Sequence, residues 1–141
     1  MDCIFCKIIA GEIPAYKVME SSEALAFLDI APQTKGHTVV VPKVHTTNLL
    51  AIDDEKIGPL FEVVKATTAI LNQALNPDGF TTGVNHGAVS GQTVDHLHVH
   101  IMPRFSGDGG GSIHSAVSNP PQASLEEIAE KVQKARLILH Y

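Results

Sequence analysis

Histidine dominates the chemistry open to this chain, which carries eight histidines against no tryptophan and two tyrosines. Three of them alternate in His96-Leu97-His98-Val99-His100. Alternate side chains of an extended strand share a face, so the three imidazoles would line one side while Leu97, Val99 and Ile101 enter the other. An imidazole titrates near pH 6.5 and can serve as nucleophile, acid, base or metal ligand at neutrality. Same-face side chains lie about 6.5–7 Å apart along a strand, too far for all three to hold one tetrahedral metal without strong twist or a bulge. One histidine is therefore expected to be a ligand while its neighbour does other work.

Cys3-x-x-Cys6 is the second constellation. A disulfide across two residues closes almost no loop and would stabilise little, so a thiolate metal pair is the preferred reading, with a redox pair or two buried thiols as alternatives. A closed zinc site needs two further ligands. His45, three residues beyond a central strand, and His96, at the start of the histidine run, complete a Cys3, Cys6, His45 and His96 set that would tie the amino terminus to a sheet. The third constellation is the loop Asn85-His86-Gly87-Ala88-Val89-Ser90-Gly91-Gln92-Thr93, which ends beside the histidines. Its glycines let backbone N–H groups approach an anion, and Asn85, Gln92 and Thr93 are neutral donors suited to phosphate oxygens. It is not a P-loop: one residue is missing, Gln92 stands where lysine is needed, and a strand follows. His37, opening a β-branched run, reads as a polar strand-edge residue rather than a catalyst, and His86, His114 and His140 show no interpretable pattern.

The elements needed to position these residues can be read from periodicity. Residues 5–10, closed by Gly11 and Pro14, form a short helix that places the cysteines at its start. Residues 16–20 and 24–29 read as a hairpin, and the β-branched run 37–41, ended by Pro42, as a central strand. A long amphipathic helix opens at Gly58-Pro59, with proline in its first turn, and ends near Asn76-Pro77; Leu60, Val63, Val64, Thr67, Leu71, Ala74 and Leu75 mark its apolar face. Residues 80–85 and 95–104 are the fourth and fifth strands. After a glycine-rich loop, Ser124-Leu125-Glu126-Glu127 is a capping box opening a last helix with Leu125, Ile128, Ala129, Val132 and Leu139 on one face. These elements predict an α+β fold: five mainly antiparallel strands, a long covering helix and short terminal helices. At 141 residues, 44% hydrophobic and 18% charged, the chain is expected to be one globular domain over 1–141. The motifs occupy about 3–104, and the loop and helix of 105–141 follow.

The run Gly91-Gln92-Thr93-Val94-Asp95-His96-Leu97-His98-Val99-His100 resembles the signature of the histidine-triad (HIT) family. The likeness extends to Ile4-Phe5-Cys6-Lys7-Ile8-Ile9, Glu12-Ile13-Pro14, Phe27-Leu28-Asp29-Ile30, Gly36-His37 and Val41-Pro42-Lys43-Val44-His45. It implies a nucleotide-binding α+β homodimer that cleaves a bond at the α-phosphate of a nucleoside phosphoramidate or polyphosphate. By the same resemblance, His98 is the covalent nucleophile. His100, Asn85, Gln92 and Thr93 bind phosphate, Asp29 binds the ribose hydroxyls, and Phe5, Ile8, Phe27 and Ile30 wall the base. The branch with paired cysteines is known for structural zinc on positions matching Cys3, Cys6, His45 and His96. The segment after Arg104 departs from the eukaryotic phosphoramidase branch, which ends in a tryptophan-containing tail.

The expected activity is that of a nucleotide hydrolase or transferase releasing AMP through a nucleotidyl-histidine. The alternative is a dinucleoside polyphosphate (Ap3A/Ap4A-type) hydrolase; more distant are a metal-dependent hydrolase using the three histidines and a nucleotide-binding sensor. Fifteen acidic against ten basic residues, a net charge of −5, disfavour a nucleic acid polymer as partner. No apolar run reaches the roughly 20 residues of a membrane span and no leader pattern opens the chain, so a cytoplasmic protein without membrane partners is expected.

Overall fold

The computed structural model describes residues 2–141, which divide into two compact units, the first ending at Gly110 and the second running Gly111–Tyr141. In the first unit the chain runs α1 (Ile4–Ile9), β1 (Lys17–Glu20), β2 (Ala24–Leu28), β3 (Thr38–Pro42), α2 (Asp54–Leu75), β4 (Gly79–Gly83) and β5 (Val99–Arg104). The five strands form one antiparallel sheet in the order β1-β2-β3-β5-β4. The α+β expectation with five antiparallel strands is met.

Alternation sorts the sheet into two faces. Ala24, Ala26, Val40, Val99 and Ile101 pack with Leu60, Val63, Val64 and Leu71 of α2. Leu25, Phe27, Val39 and Val41 pack on the other side with Ile8 of α1 and with Phe5, Ile9 and Ile13. All five residues of β3 are buried, because it lies between β2 and β5 and is covered on both faces. Each large aliphatic side chain so removed from water contributes about 1.5–3 kcal/mol. Val39 pairs with His100, so even-numbered residues of β5 share the α1 side of the sheet.

Three elements depart from the sequence reading by two residues or more. First, α2 begins at Asp54 rather than at Gly58-Pro59, and Pro59 lies inside it. Proline there costs the bond to the Glu55 carbonyl, but the buried face of 22 residues holds the helix through that loss. Second, the strand expected over 95–104 starts only at Val99, so His96 and His98 lie in the irregular approach to it. Third, the fourth strand covers Gly79–Gly83 and leaves Asn85 to the following loop. Gly36, at φ +85°, turns the chain into β3 where a Cβ would run into Leu75 and Pro103.

The second unit contains a 3₁₀ turn at Ile113–Ser115 and α3 (Leu125–Ile138). The Ser124 hydroxyl accepts the Glu127 N–H at 3.1 Å, as the capping motif predicts. Of the expected apolar face, only Ile128 is partly covered; Leu125, Ala129, Val132 and Leu139 are exposed, and Leu139 caps the helix instead of belonging to it. Among the described residues no helix is long and apolar enough to cross a membrane.

Candidate active site and metal centre

Cys3 is the N-cap of α1 and its Sγ accepts the Cys6 N–H at 3.4 Å, which places both sulfurs on the side of the helix facing His45 and His96. Cys3 Sγ lies 3.5 Å from His96 Nδ1, and Cys6 Sγ lies 3.6 Å from that atom and 3.3 Å from His45 Nδ1. All four donor atoms fall within 4.8 Å of one another. With Zn–S near 2.3 Å and Zn–N near 2.0–2.1 Å, tetrahedral angles separate a sulfur and a nitrogen ligand by about 3.5 Å. The cluster has the size of a zinc coordination shell.

The surroundings agree. His96 is fully buried and its Nε2–H donates to the Pro42 carbonyl at 2.8 Å, which leaves Nδ1 as a lone pair aimed at the cysteines. Burial holds the His96 pKa down, favouring the neutral ligand form. Burial, reinforced by the neighbouring Cys3, pushes the Cys6 thiol up, so a thiolate pair here calls for a compensating cation. The donor set therefore fits a divalent soft-to-borderline metal such as zinc.

Two residues further along, the His98 Nδ1–H donates to the His96 backbone carbonyl at 2.7 Å. A carbonyl can only accept, so this bond fixes the tautomer and leaves the His98 Nε2 lone pair available. The ring is largely buried and packs edge-on against Phe5 and His100, with ring centres 5.1 and 4.9 Å away. The same logic assigns a relay the sequence did not disclose. The Gln33 backbone N–H donates to His37 Nδ1 at 3.1 Å, so a neutral His37 carries its proton on Nε2. That Nε2–H donates to His100 Nδ1 at 2.9 Å, which in turn puts the His100 proton on its own Nε2. Burial, aided by the nearby His98 and His37, pushes the His100 pKa down to about 4, against a smaller opposing pull from Asp29. Burial likewise lowers that of His37. Both rings are neutral near pH 7, and His100 presents an N–H donor.

Asp29, His37 and His100 also place one donor atom each within 4.8 Å, a two-histidine, one-carboxylate set. The tautomer argues against a metal there. A cation on His37 Nε2 would require a proton on Nδ1, directly opposing the Gln33 N–H. Asp29 is instead a turn residue whose Oδ1 accepts the Ala31 N–H at 2.9 Å and whose Oδ2 lies 3.6 Å from His37 Nε2. The three triad histidines do not converge on one point either: His96 turns to the cysteines and His100 to His37.

The remaining expected residues divide. The Gln92 side chain is committed to bracing its own loop, its Oε1 accepting the Gly87 N–H at 2.9 Å and its Nε2 donating to the carbonyls of Thr47 and Val94 at 2.8 and 3.1 Å. Thr93 is exposed and lines a cavity of about 400 Å³ with Cys3, His45 and Asp95, on the metal side. Asn85 is half-buried beside Gly91. Ile8 and Phe27 are buried in the core under the sheet, Phe5 is half-buried between them and the histidines, and Ile30 is 87% exposed. Asp29 lines a second cavity of about 390 Å³ with Leu28, Gly36 and His37. Sequence reasoning missed His37 and the carbonyls of Pro42 and His96. The clue to the first was a histidine opening a strand that pairs with the histidine strand.

Known proteins resemble the chain in sequence and in fold. A profile described as the HIT domain matches residues 10–107. An uncharacterized HIT-like protein of Methanocaldococcus jannaschii is 44% identical over 131 residues, covering 93% of this chain and 98% of that one. The adenosine 5'-monophosphoramidase hnt1 of Schizosaccharomyces pombe is 42% identical over 104 residues, covering 74% and 75%. The crystal structure of a Zn-bound histidine triad family protein from Mycobacterium smegmatis superposes with a TM-score of 0.72 at 33% identity, covering 99% of this chain and 96% of that one. Fold, histidine run and relatives agree, and the chain belongs to the HIT family.

Proposed function

We propose that the protein is a hydrolase that cleaves at the α-phosphate of a purine nucleoside phosphoramidate or polyphosphate through a nucleotidyl adduct on His98, releasing AMP. The observation that carries this reading is the His98 Nδ1–H bond to the His96 carbonyl at 2.7 Å, which in the neutral ring leaves Nε2 as the lone-pair nitrogen that can act as nucleophile. Nε2 attacks phosphorus as the P–N or P–O bond to the leaving group breaks, the leaving amine or phosphate taking a proton from solvent; water then attacks phosphorus and gives a proton back to solvent, and the P–Nε2 bond breaks to regenerate the free ring. His100, neutral and with its proton on Nε2, donates to a nonbridging phosphate oxygen, an orientation enforced by His37. Backbone N–H groups of the 85–93 loop, with Asn85 and Thr93, supply further donors, Gln92 keeps that loop in shape, and Asp29 at the mouth of its cavity receives the ribose hydroxyls. The apolar side chains of Ile8, Phe27 and Ile30 are assigned to the base side.

Zinc is the metal we assign to Cys3, Cys6, His45 and His96, where it would supply a structural cross-link between α1, the segment after β3 and the approach to β5. The S. pombe relative's name favours phosphoramidates over dinucleoside polyphosphates as substrates. The reading also includes a cytoplasmic homodimer acting on a small nucleotide, its location in keeping with two cysteines that form no disulfide. Mass spectrometry of protein quenched during turnover of adenosine 5'-phosphoramidate tests the chemistry. An adenylyl mass on the peptide holding His98 is expected, and an adduct on His96 or His100, or none, overturns it. Parallel turnover of diadenosine polyphosphates decides the leaving group.

A further inference from the structure

Phe5 stands between the two cysteines of α1 and touches both halves of the site. Its ring meets His96 at 5.9 Å and 76° and His98 at 5.1 Å and 80°, both edge-on. From the core side, Phe27 meets Phe5 edge-on at 5.6 Å and 69°. Edge-to-face contacts of this kind have a preferred angle, so they orient a ring as well as bury it.

Two torsions set the direction of an imidazole. For His98, the Nδ1–H bond to the His96 carbonyl holds one edge of the ring, and Phe5, with His100 opposite at 4.9 Å, blocks rotation of the rest. Both restraints originate in the metal centre: His96 belongs to the donor cluster, and Phe5 adjoins Cys6 and lies two residues from Cys3. The helix carrying Phe5 has only six residues, too few to stand alone, so the cysteine anchorage decides where Phe5 sits.

We propose that Phe5 is a positioning residue for His98, and that the Cys3, Cys6, His45 and His96 cluster acts through it to hold the nucleophilic ring in line for attack. The proposal rests on His98 being the nucleophile. It differs from the base-wall role that resemblance implies, since a base wall acts on nucleotide affinity and a ring support acts on the covalent step.

The test uses the full-length, zinc-loaded protein and adenosine 5'-phosphoramidate, with Phe5→Leu and Phe5→Tyr. Phe5→Leu is expected to keep its zinc and to bind AMP within about threefold of the parent, while kcat falls roughly ten- to a hundredfold, as small misplacements of reacting groups do. Nitrogen-15 spectra should show the His98 Nδ1–H resonance, protected in the parent, exchanging rapidly in Phe5→Leu. Phe5→Tyr, which keeps the ring, should restore most of kcat and the protected resonance. Parental kcat in Phe5→Leu, or a loss confined to AMP affinity, overturns the proposal. Should Phe5→Leu fail to fold or to hold zinc, Phe5→Met is judged by the same criteria. An adduct on His98 in the parent, with unchanged kcat in Phe5→Leu, refutes this inference alone; absence of any adduct on His98 refutes the parent reading.

Discussion

The bond from the His98 Nδ1–H to a main-chain carbonyl and the bond from Gln33 through His37 to His100 give the two rings opposite duties. One offers a lone pair, the other a proton. His98→Ala should therefore abolish turnover while leaving AMP binding largely intact, and His100→Ala should lower kcat by about 100- to 1,000-fold, the usual cost of one preorganised donor. Rapid-quench turnover with calorimetric AMP titration measures both. Turnover near the parent level in His98→Ala would exclude a covalent role. At this scale the sequence singled out the alternating histidines but not His37, and was silent about how they are wired. Alternation at 96, 98 and 100 could be read directly, but the partners that set the tautomers are the backbone groups of residues 33, 42 and 96 and the ring of His37, whose approach depends on the tertiary fold. Gln92 shows the limit from the other side: a residue type suited to phosphate proves to hold its own loop by three hydrogen bonds.

Elements bring these residues together by anchoring a short helix to a sheet. Because the two sulfurs at the start of α1 belong to the donor cluster, Cys3→Ser or Cys6→Ser should lose the zinc proposed there and melt at lower temperature, metal binding being coupled to folding. Metal analysis beside a thermal scan decides it, and full zinc occupancy in either variant would reject this ligand set. Gly36 makes a sharper test of the route into β3: Gly36→Ala puts a methyl group into Leu75 and Pro103 at a positive φ, and should cost about 1–3 kcal/mol in urea unfolding. Helix and strand identities were legible from periodicity, since 3.6- and 2-residue patterns are local. Boundaries were less so. Pro59 suggested a helix start, but the apolar face of α2 outweighs the one bond lost, and the alternating histidines suggested a strand where the chain is bent toward the metal site.

Across the whole molecule, the buried histidines couple the site to pH. An unfolded histidine titrates near 6.5, and His100 in the folded protein near 4. Between those values the unfolded chain binds more protons, so stability is complete above about pH 6.5 and drains away as pH falls toward 4; His37, also lowered by burial, adds in the same sense. Melting temperatures recorded from pH 7 to 4 should fall across that window, and His100→Asn should flatten the fall. A profile without slope there would show that the rings are not held neutral.

The double coverage of β3 has a consequence for how the molecule can be observed. With ladders on both edges and both faces buried, the amides of Thr38, Val39 and Val40 have no route to solvent through local fraying. Their deuterium uptake should wait for global opening, so exchange at these three amides reports the full unfolding free energy under native conditions. A ligand or metal that binds only the folded state should slow all three equally, by the factor its mass action predicts. The strand thus serves as an internal gauge of occupancy, readable without label or catalysis.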